Sequence, residues 1–400
     1  MKSPTPYLPH PVFASDHPGE RPAPRVFLSP QRYVQGPGVL SSLGRYLSVM
    51  QASRVGLLMS ARGLASDGVR LIEGLRAADI AHVETLFRGE CSLEEIDHHV
   101  DALSAAGIDC LVAAGGGKCV DAAKGVAFRL GVPVVVAPTL ASNDAPCSSV
   151  SVLYTPEGVA TGAEFYPCNP AFVVVDTEVV ASASERYLVA GIGDAMATWY
   201  EARVCLDNAA AVTTVGARPT LAAGAIGEVC ARTLFEQGEA ASLAVRESRV
   251  DDALECVVEA NTLLSGVGFE SGGLAAAHGV AQSLTAIPKV HDDYLHGEMV
   301  AMGTLAQLML ESRPDEATRV AEFFATVGLP VHLGQLSLDA SDASALDTIV
   351  EGSLAFPFIQ NMPVAVTAES VRGAVLDADR LGRPIAEKMG DAAYRRLRES

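Results

Sequence analysis

The first half of the chain alternates short apolar runs with stretches of helical spacing. Each run carries at most one Asp, Glu, Lys or Arg, and the runs stand at residues 54–59, 82–87, 109–114, 132–138 and 172–176. Helical stretches separate them, for instance at 93–106 and 120–130. Buried strands that alternate with helices are typical of a parallel sheet covered on both faces. The pattern predicts an α/β domain over residues 25–182.

The pattern changes to helical periodicity after residue 184. Long stretches rich in Ala, Leu and Glu, with few β-branched runs, stand at 185–206, 220–237, 245–265, 273–284, 297–311 and 315–327. Apolar residues that recur about every 3.6 positions indicate amphipathic helices. We therefore expect an all-helical domain over residues 183–400, and 400 residues are enough for two cores.

The chain begins with a proline-rich segment that lacks the apolar stretch of a secretory signal. We expect residues 1–24 to form a flexible, extended arm. No apolar run reaches the roughly 18 residues of a membrane span.

Charge and cysteine content narrow the class of protein. The formal net charge of −19 repels phosphate backbones and anionic lipid, so we expect neither nucleic acid nor membrane as a partner. The eight cysteines are scattered and form no C-x-x-C pair, which is typical of reduced thiols in a cytoplasmic enzyme.

A glycine loop stands between a buried strand and a helix, at Gly115, Gly116 and Gly117, with Lys118 and Asp121 following. Three glycines let the backbone approach a ligand, and a helix N-terminus offers N–H groups to a pyrophosphate. A plain tight turn explains the glycines equally well. Thr139, Ser142 and Asp144 follow the next strand, and the carboxyl ends of parallel strands meet in one crevice.

Three separated residues are candidates for a metal site. Asp194 begins a helical stretch, and His278 and His296 lie in otherwise apolar segments that are predicted to be helical. Two imidazoles and a carboxylate with an open fourth position form a common catalytic metal site. Each residue also has a simpler interpretation: Asp194 as a helix-capping carboxylate, and each histidine as a hydrogen-bonded core residue. Spacing alone does not decide between these roles and metal binding.

Two residues flank His296. Glu298 is interpreted either as a solvated helix carboxylate or as a group that orients a ligand histidine. His291 is interpreted either as a proton-relay group or as a surface histidine.

Together these segments resemble the glycerol dehydrogenase branch of the iron-containing (group III) alcohol dehydrogenase superfamily. The residues that carry the resemblance are GGGKCVDAAK (115–124), APTLASNDAPCSSVSVLYT (137–155), NPAFVVVDT (169–177), AGIGDAMATWYEAR (190–203), GFESGGLAAAHGV (268–280), HGEMVAMGTLAQL (296–308) and NMPVAVT (361–367). It extends from about residue 25 to the C-terminus.

The resemblance implies a nucleotide-binding α/β domain followed by an all-helical domain, an architecture shared with dehydroquinate synthase, and an active site in the cleft between them. It implies a divalent metal, Zn²⁺ or alternatively Fe²⁺ or another ion, held by Asp194, His278 and His296. Many members carry a fourth ligand, a histidine four residues after the aspartate. This chain has Thr198 there, which favours the three-ligand glycerol dehydrogenase type.

The resemblance also implies a dinucleotide and an assembly. NAD is the implied coenzyme, with the glycine loop and the family's contact positions falling on Gly115, Gly116, Gly117, Lys118, Asp121, Thr139, Ser142, Ser148, Val150 and Tyr154. The family's substrate-contacting aspartate falls on Asp144. A homo-oligomer, up to an octamer, is expected.

The sequence departs from the family pattern in two places. Relatives that prefer NAD carry an aspartate after the second strand, and this chain has Ser60 there, with Arg62 nearby. Loss of that carboxylate removes repulsion of a 2′-phosphate, so NADP is expected to be accepted as well as, or instead of, NAD. Asn143 and Cys147 stand at positions where threonine is common in the family. These positions are expected to line the substrate pocket, so the substrate can differ from glycerol.

The expected activity is metal-dependent hydride transfer between a small polyol, glycerol or another vicinal diol, and NAD(P). The metal would act as a Lewis acid on the hydroxyl group, Asp144 would orient a substrate hydroxyl, and His291 is a candidate for proton release. The alternative is a dehydrogenase of a hydroxy acid or a specialised-metabolite alcohol. A lyase like 3-dehydroquinate synthase, or a non-catalytic relative, fits the motifs less well.

Overall fold

The computed structural model describes residues 6–17 and 20–399, and these form two compact units. The first unit contains residues 6–9, 28–183 and 248–250, and the second contains the remaining described residues. The domain bounds expected from the sequence, 25–182 and 183–400, stay a prediction.

The first unit contains the strands. Their bounds are β1 (Tyr33–Gly36), β2 (Arg54–Met59), β3 (Ala81–Leu86), β4 (Cys110–Gly115), β5 (Val134–Pro138), β6 (Val150–Tyr154), β7 (Ala160–Phe165) and β8 (Phe172–Asp176). Six of them form a parallel sheet in the order β1-β8-β5-β4-β2-β3, and β6 and β7 form an antiparallel hairpin. The predicted parallel α/β fold is therefore confirmed.

Helices pack on the parallel sheet and bury its apolar side chains. Up to residue 183 the helices are α1 (His10–Phe13), α2 (Leu43–Leu47), α3 (Ala61–Ala65), α4 (Asp67–Ala77), α5 (Leu93–Leu103), α6 (Gly117–Leu130) and α7 (Thr177–Ala181), of which α1 belongs to the second unit. On one face, Leu57, Val112 and Val174 from three strands form a core with Leu43 of α2 and Leu71 of α4. This core fixes the strand ends that carry the loops described below.

The strand register brings three loops to one edge of the sheet. Met59 of β2 lies opposite Ala114 of β4, and Gly115 lies opposite Pro138 of β5. Because the strands are parallel, the residues that follow them emerge side by side. Ser60, the glycine loop and Thr139 therefore share the carboxyl edge, as the sequence predicts.

The second unit is helical. Its further helices are α8 (Glu185–Asp207), α9 (Leu221–Arg246), α10 (Asp252–Glu259), α11 (Ser265–Gly272), α12 (Ala276–Leu284), α13 (Pro288–Asp293), α14 (His296–Leu310), α15 (Pro314–Val327), α16 (Ala343–Ala355), α17 (Ala368–Met389) and α18 (Ala392–Glu399). Among the described residues, no helix combines the length and apolar character needed to cross a bilayer.

Glycines allow α14 to lie against two other helices at backbone distance. A Cβ atom on Gly297 would lie 1.7 Å from the carbonyl oxygen of Ala190 in α8, and one on Gly303 would lie 2.1 Å from that of Ala277 in α12. Any side chain at either glycine would therefore separate the helices. These close approaches bring Asp194 of α8 and His278 of α12 to the N-terminus of α14.

Some elements differ from the sequence pattern. The helix expected over 245–265 is wrong, because α9 runs on to Arg246 and α10 begins at Asp252 after a break, continuing through a π-helical turn at Ala260–Leu264. Asp251 caps α10 by accepting a hydrogen bond from Leu254 N at 2.9 Å. Strand β1 and the β6–β7 hairpin were not predicted, because neither is an apolar run.

The N-terminal segment lies only partly within the described residues, since 1–5 and 18–19 fall outside them. Within the described part, Tyr7 forms an isolated bridge to Phe165 and Arg25 one to Arg218. Arg25 also donates a hydrogen bond to the carbonyl of Pro219 at 2.5 Å. The flexibility expected of residues 1–24 stays a prediction.

Candidate active site

The three predicted metal ligands lie together. Asp194 lies inside α8, so the expectation that it begins a helix and caps it is wrong, because α8 begins at Glu185. His278 lies inside α12, and His296 is the first residue of α14. One potential ligand atom from each residue lies within 4.8 Å of the others. The Nε2 atoms of both imidazoles lie 3.4 Å from Oδ1 of Asp194. The helix crossings therefore gather the residues that the sequence singled out.

The Asp194 carboxylate is the most unusual member of this group. Its residue is 1% exposed, and neither carboxylate oxygen has a hydrogen-bond partner among the described residues. Burial alone would raise the pKa of Asp194, but the His296 and His278 imidazoles hold that pKa well below its ordinary range. A buried carboxylate that makes no hydrogen bond is costly, and a bound cation would offset that cost.

Glu201 is a residue that the sequence reasoning missed. It is fully buried on α8, and its Oε2 lies 2.5 Å from Nδ1 of His278. Its Oε1 accepts hydrogen bonds from the backbone N–H groups of Ala275 at 2.8 Å and His278 at 3.0 Å. Glu201 therefore fixes both the ring and the start of α12.

The Glu201 contact also sets the protonation of His278. Burial would lower the pKa of His278, but Glu201 and Asp194 raise it well above its ordinary value. The raised pKa favours a ring with both nitrogens protonated. If a metal displaces the proton on Nε2, the carboxylate at Nδ1 keeps the other proton on Nδ1, and the lone pair would then be on Nε2, which faces Asp194. A carboxylate that orients a ligand histidine in this way is a regular feature of metal sites.

Glu298 holds the start of α14. It is 3% exposed, so the interpretation as a solvated carboxylate is wrong. Its Oε2 accepts a hydrogen bond from Leu295 N at 2.7 Å, and both of its oxygens accept hydrogen bonds from Arg186 of α8. Glu298 thus caps the helix that begins with His296.

His291 lies on α13, where its Nδ1 is 3.0 Å from Oδ1 of Asp292. Its side chain is 35% exposed. The group of three potential ligands does not include it, and its role in proton release stays a prediction.

The glycine loop forms the junction between β4 and α6. Gly116 is the N-cap of α6, and its carbonyl oxygen accepts the Cys119 N–H at 3.0 Å. A Cβ atom on Gly117 would lie 2.8 Å from Nδ2 of Asn143. A side chain at Gly117 would therefore have to displace the Asn143 amide. Thr139 N donates to the Gly115 carbonyl at 3.1 Å, which joins the loops after β4 and β5.

A buried lysine fixes the segment that follows β5. The Nζ of Lys124 lies 3.0 Å from Oδ1 of Asp121 and 3.1 Å from Oγ of Ser148. It also donates to the carbonyl oxygens of Ala145 at 2.6 Å and Val150 at 2.8 Å. Burial raises the pKa of Asp121, and Lys124 opposes that shift. One ammonium group thus joins α6 to residues 145–150.

This arrangement affects three predicted dinucleotide contacts. Asp121 is 6% exposed and Ser148 1% exposed. The second Asp121 oxygen accepts Val152 N at 3.0 Å, and the Ser148 hydroxyl also donates to the Ala145 carbonyl at 3.1 Å. Contact of a dinucleotide with these side chains would require the hydrogen bonds to break. At Val150 the carbonyl is already bound by Lys124.

The other predicted cofactor and substrate residues are more accessible. The Nζ of Lys118 lies 2.7 Å from Oε1 of Glu90 and 4.8 Å from the ring centroid of Tyr154. Ser142 accepts a hydrogen bond from Asn143 Nδ2 at 3.2 Å, and Asp144 is the half-buried N-cap of a short 3₁₀ helix.

Comparison with known proteins identifies the family. Residues 30–177 match the family described as iron-containing alcohol dehydrogenase. The chain is 45% identical over 361 residues to a glycerol dehydrogenase of Escherichia coli O6:H1, covering 90% of this chain and 98% of that protein. It is 46% identical over 366 residues to a glycerol dehydrogenase of Pseudomonas putida, covering 91% and 99%.

A solved structure agrees with these relatives. The crystal structure of glycerol dehydrogenase from Schizosaccharomyces pombe superposes with a TM-score of 0.86 at 33% identity, covering 92% of this chain and 93% of that one. The extent and level of identity leave no large part of the fold unmatched. The chain is an alcohol dehydrogenase that belongs to the glycerol dehydrogenase branch of the iron-containing alcohol dehydrogenase family.

Proposed function

We propose that this enzyme oxidises a small polyol, glycerol or another vicinal diol, by hydride transfer to a nicotinamide dinucleotide, and that Asp194, His278 and His296 hold the divalent metal it needs. The observation that carries the metal proposal is the buried Asp194 carboxylate, which has no hydrogen-bond partner among the described residues and faces two imidazole nitrogens. The substrate class is supported by relatives named glycerol dehydrogenase at 45% and 46% identity.

The donor set fits a metal with nitrogen and oxygen ligands. Two imidazoles and one carboxylate are typical of catalytic zinc and also occur in sites for ferrous iron. We propose Zn²⁺, with Fe²⁺ as the alternative. A divalent cation there would supply Lewis acidity toward the substrate hydroxyl. The chain's own part is to fix the three ligands through Glu201, Glu298 and the helix crossings.

The first unit is proposed to bind the dinucleotide. The glycine loop leads into the N-terminus of α6, where helix N–H groups and the helix dipole favour a pyrophosphate. Gly117 permits close approach there, and Lys118 adds a partly exposed positive charge. The role of Asp144 in orienting a substrate hydroxyl stays a prediction.

The substrate proposal is tested by coenzyme reduction. Zn²⁺-loaded protein is given NAD or NADP with glycerol, other vicinal diols, hydroxy acids or simple alcohols, and absorbance of the reduced nicotinamide is followed. A higher kcat/KM for glycerol or another vicinal diol than for the other classes supports the proposal. A clear preference for a hydroxy acid contradicts it and favours the alternative substrate class.

We expect NADP to be accepted as well as, or instead of, NAD. Ser60 directly follows β2 and caps α3, accepting a hydrogen bond from Gly63 N at 3.0 Å. Arg62 is exposed in the same helix. This edge position therefore carries no carboxylate to repel a 2′-phosphate, and a guanidinium lies nearby. The KM values for NAD and NADP test this expectation, and a strong preference for NAD would contradict it.

We expect Glu201→Gln to weaken Zn²⁺ binding about 10- to 100-fold. If the glutamine oxygen keeps the backbone donors of Ala275 and His278, its NH₂ group faces Nδ1 of His278. That group donates to Nδ1, so the ring proton moves to Nε2 and the ligand lone pair is lost. Zn²⁺ affinity is measured by competition with a chromogenic chelator.

The matched control for this prediction is Glu185→Gln. Glu185 is a buried glutamate on the same helix, and it binds Ser242 and Arg396 instead of a metal ligand. Its Zn²⁺ affinity should equal that of the wild type. Equal affinities for Glu201→Gln and the wild type would show that Glu201 does not set the state of His278.

A further inference from the structure

The segment just before His296 is held from two other helices. The carbonyl oxygen of Asp293 accepts hydrogen bonds from Arg186 of α8 at 2.7 Å and from Arg398 of α18 at 2.5 Å. The guanidinium of Arg398 also lies 4.2 Å from the ring centroid of Tyr294 and 4.0 Å from the Glu298 carboxylate. Two guanidinium groups therefore converge on one carbonyl three residues before a proposed metal ligand.

His296 depends on this backbone for its position. His296 is the first residue of α14 and directly follows the N-cap residue Leu295. Its side chain is 47% exposed. A side chain that is half exposed has few packing neighbours to fix its rotamer. The place of its imidazole therefore depends on its backbone, which is fixed by residues 293–295 on one side and by the contact of Gly297 with α8 on the other.

The C-terminal helix α18 also has anchors outside that segment. Leu397 is 2% exposed, and the Tyr394 hydroxyl donates to the Gln335 carbonyl at 2.5 Å. Arg396 forms a two-point ion pair with Glu185, at 3.1 Å and 3.0 Å. Arg396 and Arg398 thus leave the same helix with different targets. Of these two arginines, Arg398 is the one that reaches the segment before His296, which Tyr394 of the same helix also contacts, its hydroxyl lying 3.5 Å from that of Tyr294.

We propose that Arg398 is a positioning residue that holds His296 in place for the metal by binding the Asp293 carbonyl, the Tyr294 ring and the Glu298 carboxylate. The inference rests on the metal site proposed above. The last turn of α18 then supports the metal site, although it contributes no ligand. Without Arg398, residues 293–295 are held less firmly. Ordering this segment when His296 binds the ion then costs free energy, which lowers the metal affinity.

The test compares Zn²⁺ affinity in full-length variants by competition with a chromogenic chelator. Arg398→Leu removes the contacts and should weaken Zn²⁺ binding about tenfold, the lower range for groups that support a ligand. Arg398→Lys keeps the charge but offers a single point donor, and its affinity should lie between those of the wild type and Arg398→Leu. Arg396→Leu is the matched control, because it removes the same charge from the same helix.

Arg396→Leu should bind Zn²⁺ with wild-type affinity even if its melting temperature falls, since a purely structural role of α18 would affect both variants alike. Dinucleotide affinity should be unchanged in all three. Wild-type affinity in Arg398→Leu, or equal weakening in Arg396→Leu, overturns the inference. His296→Ala tests the metal site separately from the role of Arg398. If this variant also binds Zn²⁺ like the wild type, the proposed metal site is wrong, and the inference about Arg398 fails with it.

Discussion

Replacing Asp194 with asparagine is expected to lower kcat/KM at least about a thousandfold, because the several kcal/mol that a Lewis acid supplies are lost with the metal. Asparagine has the same shape, so the crossing of α8 and α14 is kept. It lacks the negative charge, however, and one of its two terminal atoms is a donor that cannot bind a cation. Metal content after dialysis and steady-state turnover are measured together.

The controls for this prediction separate chemistry from folding. Asp207→Asn makes the same change at the exposed end of the same helix and should leave metal content and turnover unchanged. Dinucleotide affinity should be equal in both variants and the wild type. If Asp194→Asn retains a full complement of metal and near wild-type kcat/KM, Asp194 is not a ligand.

The second large effect is expected from Lys124→Met, which should destabilise the first unit by about 3–5 kcal/mol, the usual cost of breaking a buried ion pair on one side. The change leaves the Asp121 carboxylate buried without its cation and removes the donor to the Ala145 and Val150 carbonyls. Residues 145–150 then lose their tie to α6. We expect faster hydrogen exchange over this segment, a lower melting temperature and weaker dinucleotide binding.

A second substitution tests the physical reason for that loss. Asp121→Asn combined with Lys124→Met removes both charges, so the double variant should be more stable than Lys124→Met alone. A matched control is Lys388→Met, which removes an exposed lysine paired with Glu322 and should change stability little. A melting temperature of Lys124→Met equal to that of the wild type would contradict the account.

Much of the fold is predictable because the buried strands are short, apolar and separated by helices. Residues 54–59 and 172–176 were predicted with the bounds of β2 and β8. Strand β1, with the sequence YVQG, is only four residues long and carries no such signal, since its place depends on pairing with β8. The β6–β7 hairpin is partly exposed, so burial does not mark it either.

The candidate site shows where sequence reasoning stops. Asp194, His278 and His296 could be named because metals need a few particular side chains, and the motifs carry them. Glu201 was missed although it lies seven residues after Asp194 (201 − 194) on α8, about two helical turns away on the same face. The feature that could have identified Glu201 is a carboxylate within an otherwise apolar helical segment.

Side-chain direction is the other part that the sequence cannot supply. Ser148 and Asp121 are short polar residues in a loop-and-helix motif, and their positions suit a dinucleotide. Only the tertiary fold places Lys124 between them and turns them inward. Glu298 is a similar case, because its burial follows from Arg186, which lies more than a hundred residues earlier.

The most direct test of the account is the return of activity to metal-stripped enzyme. The wild type is treated with chelator, dialysed, and titrated with Zn²⁺ or Fe²⁺ while reduction of NAD or NADP by glycerol is followed. The account predicts no turnover before addition, recovery that saturates at one ion per chain, and no recovery in Asp194→Asn. Full turnover by the stripped wild type, or equal recovery in Asp194→Asn, would contradict it.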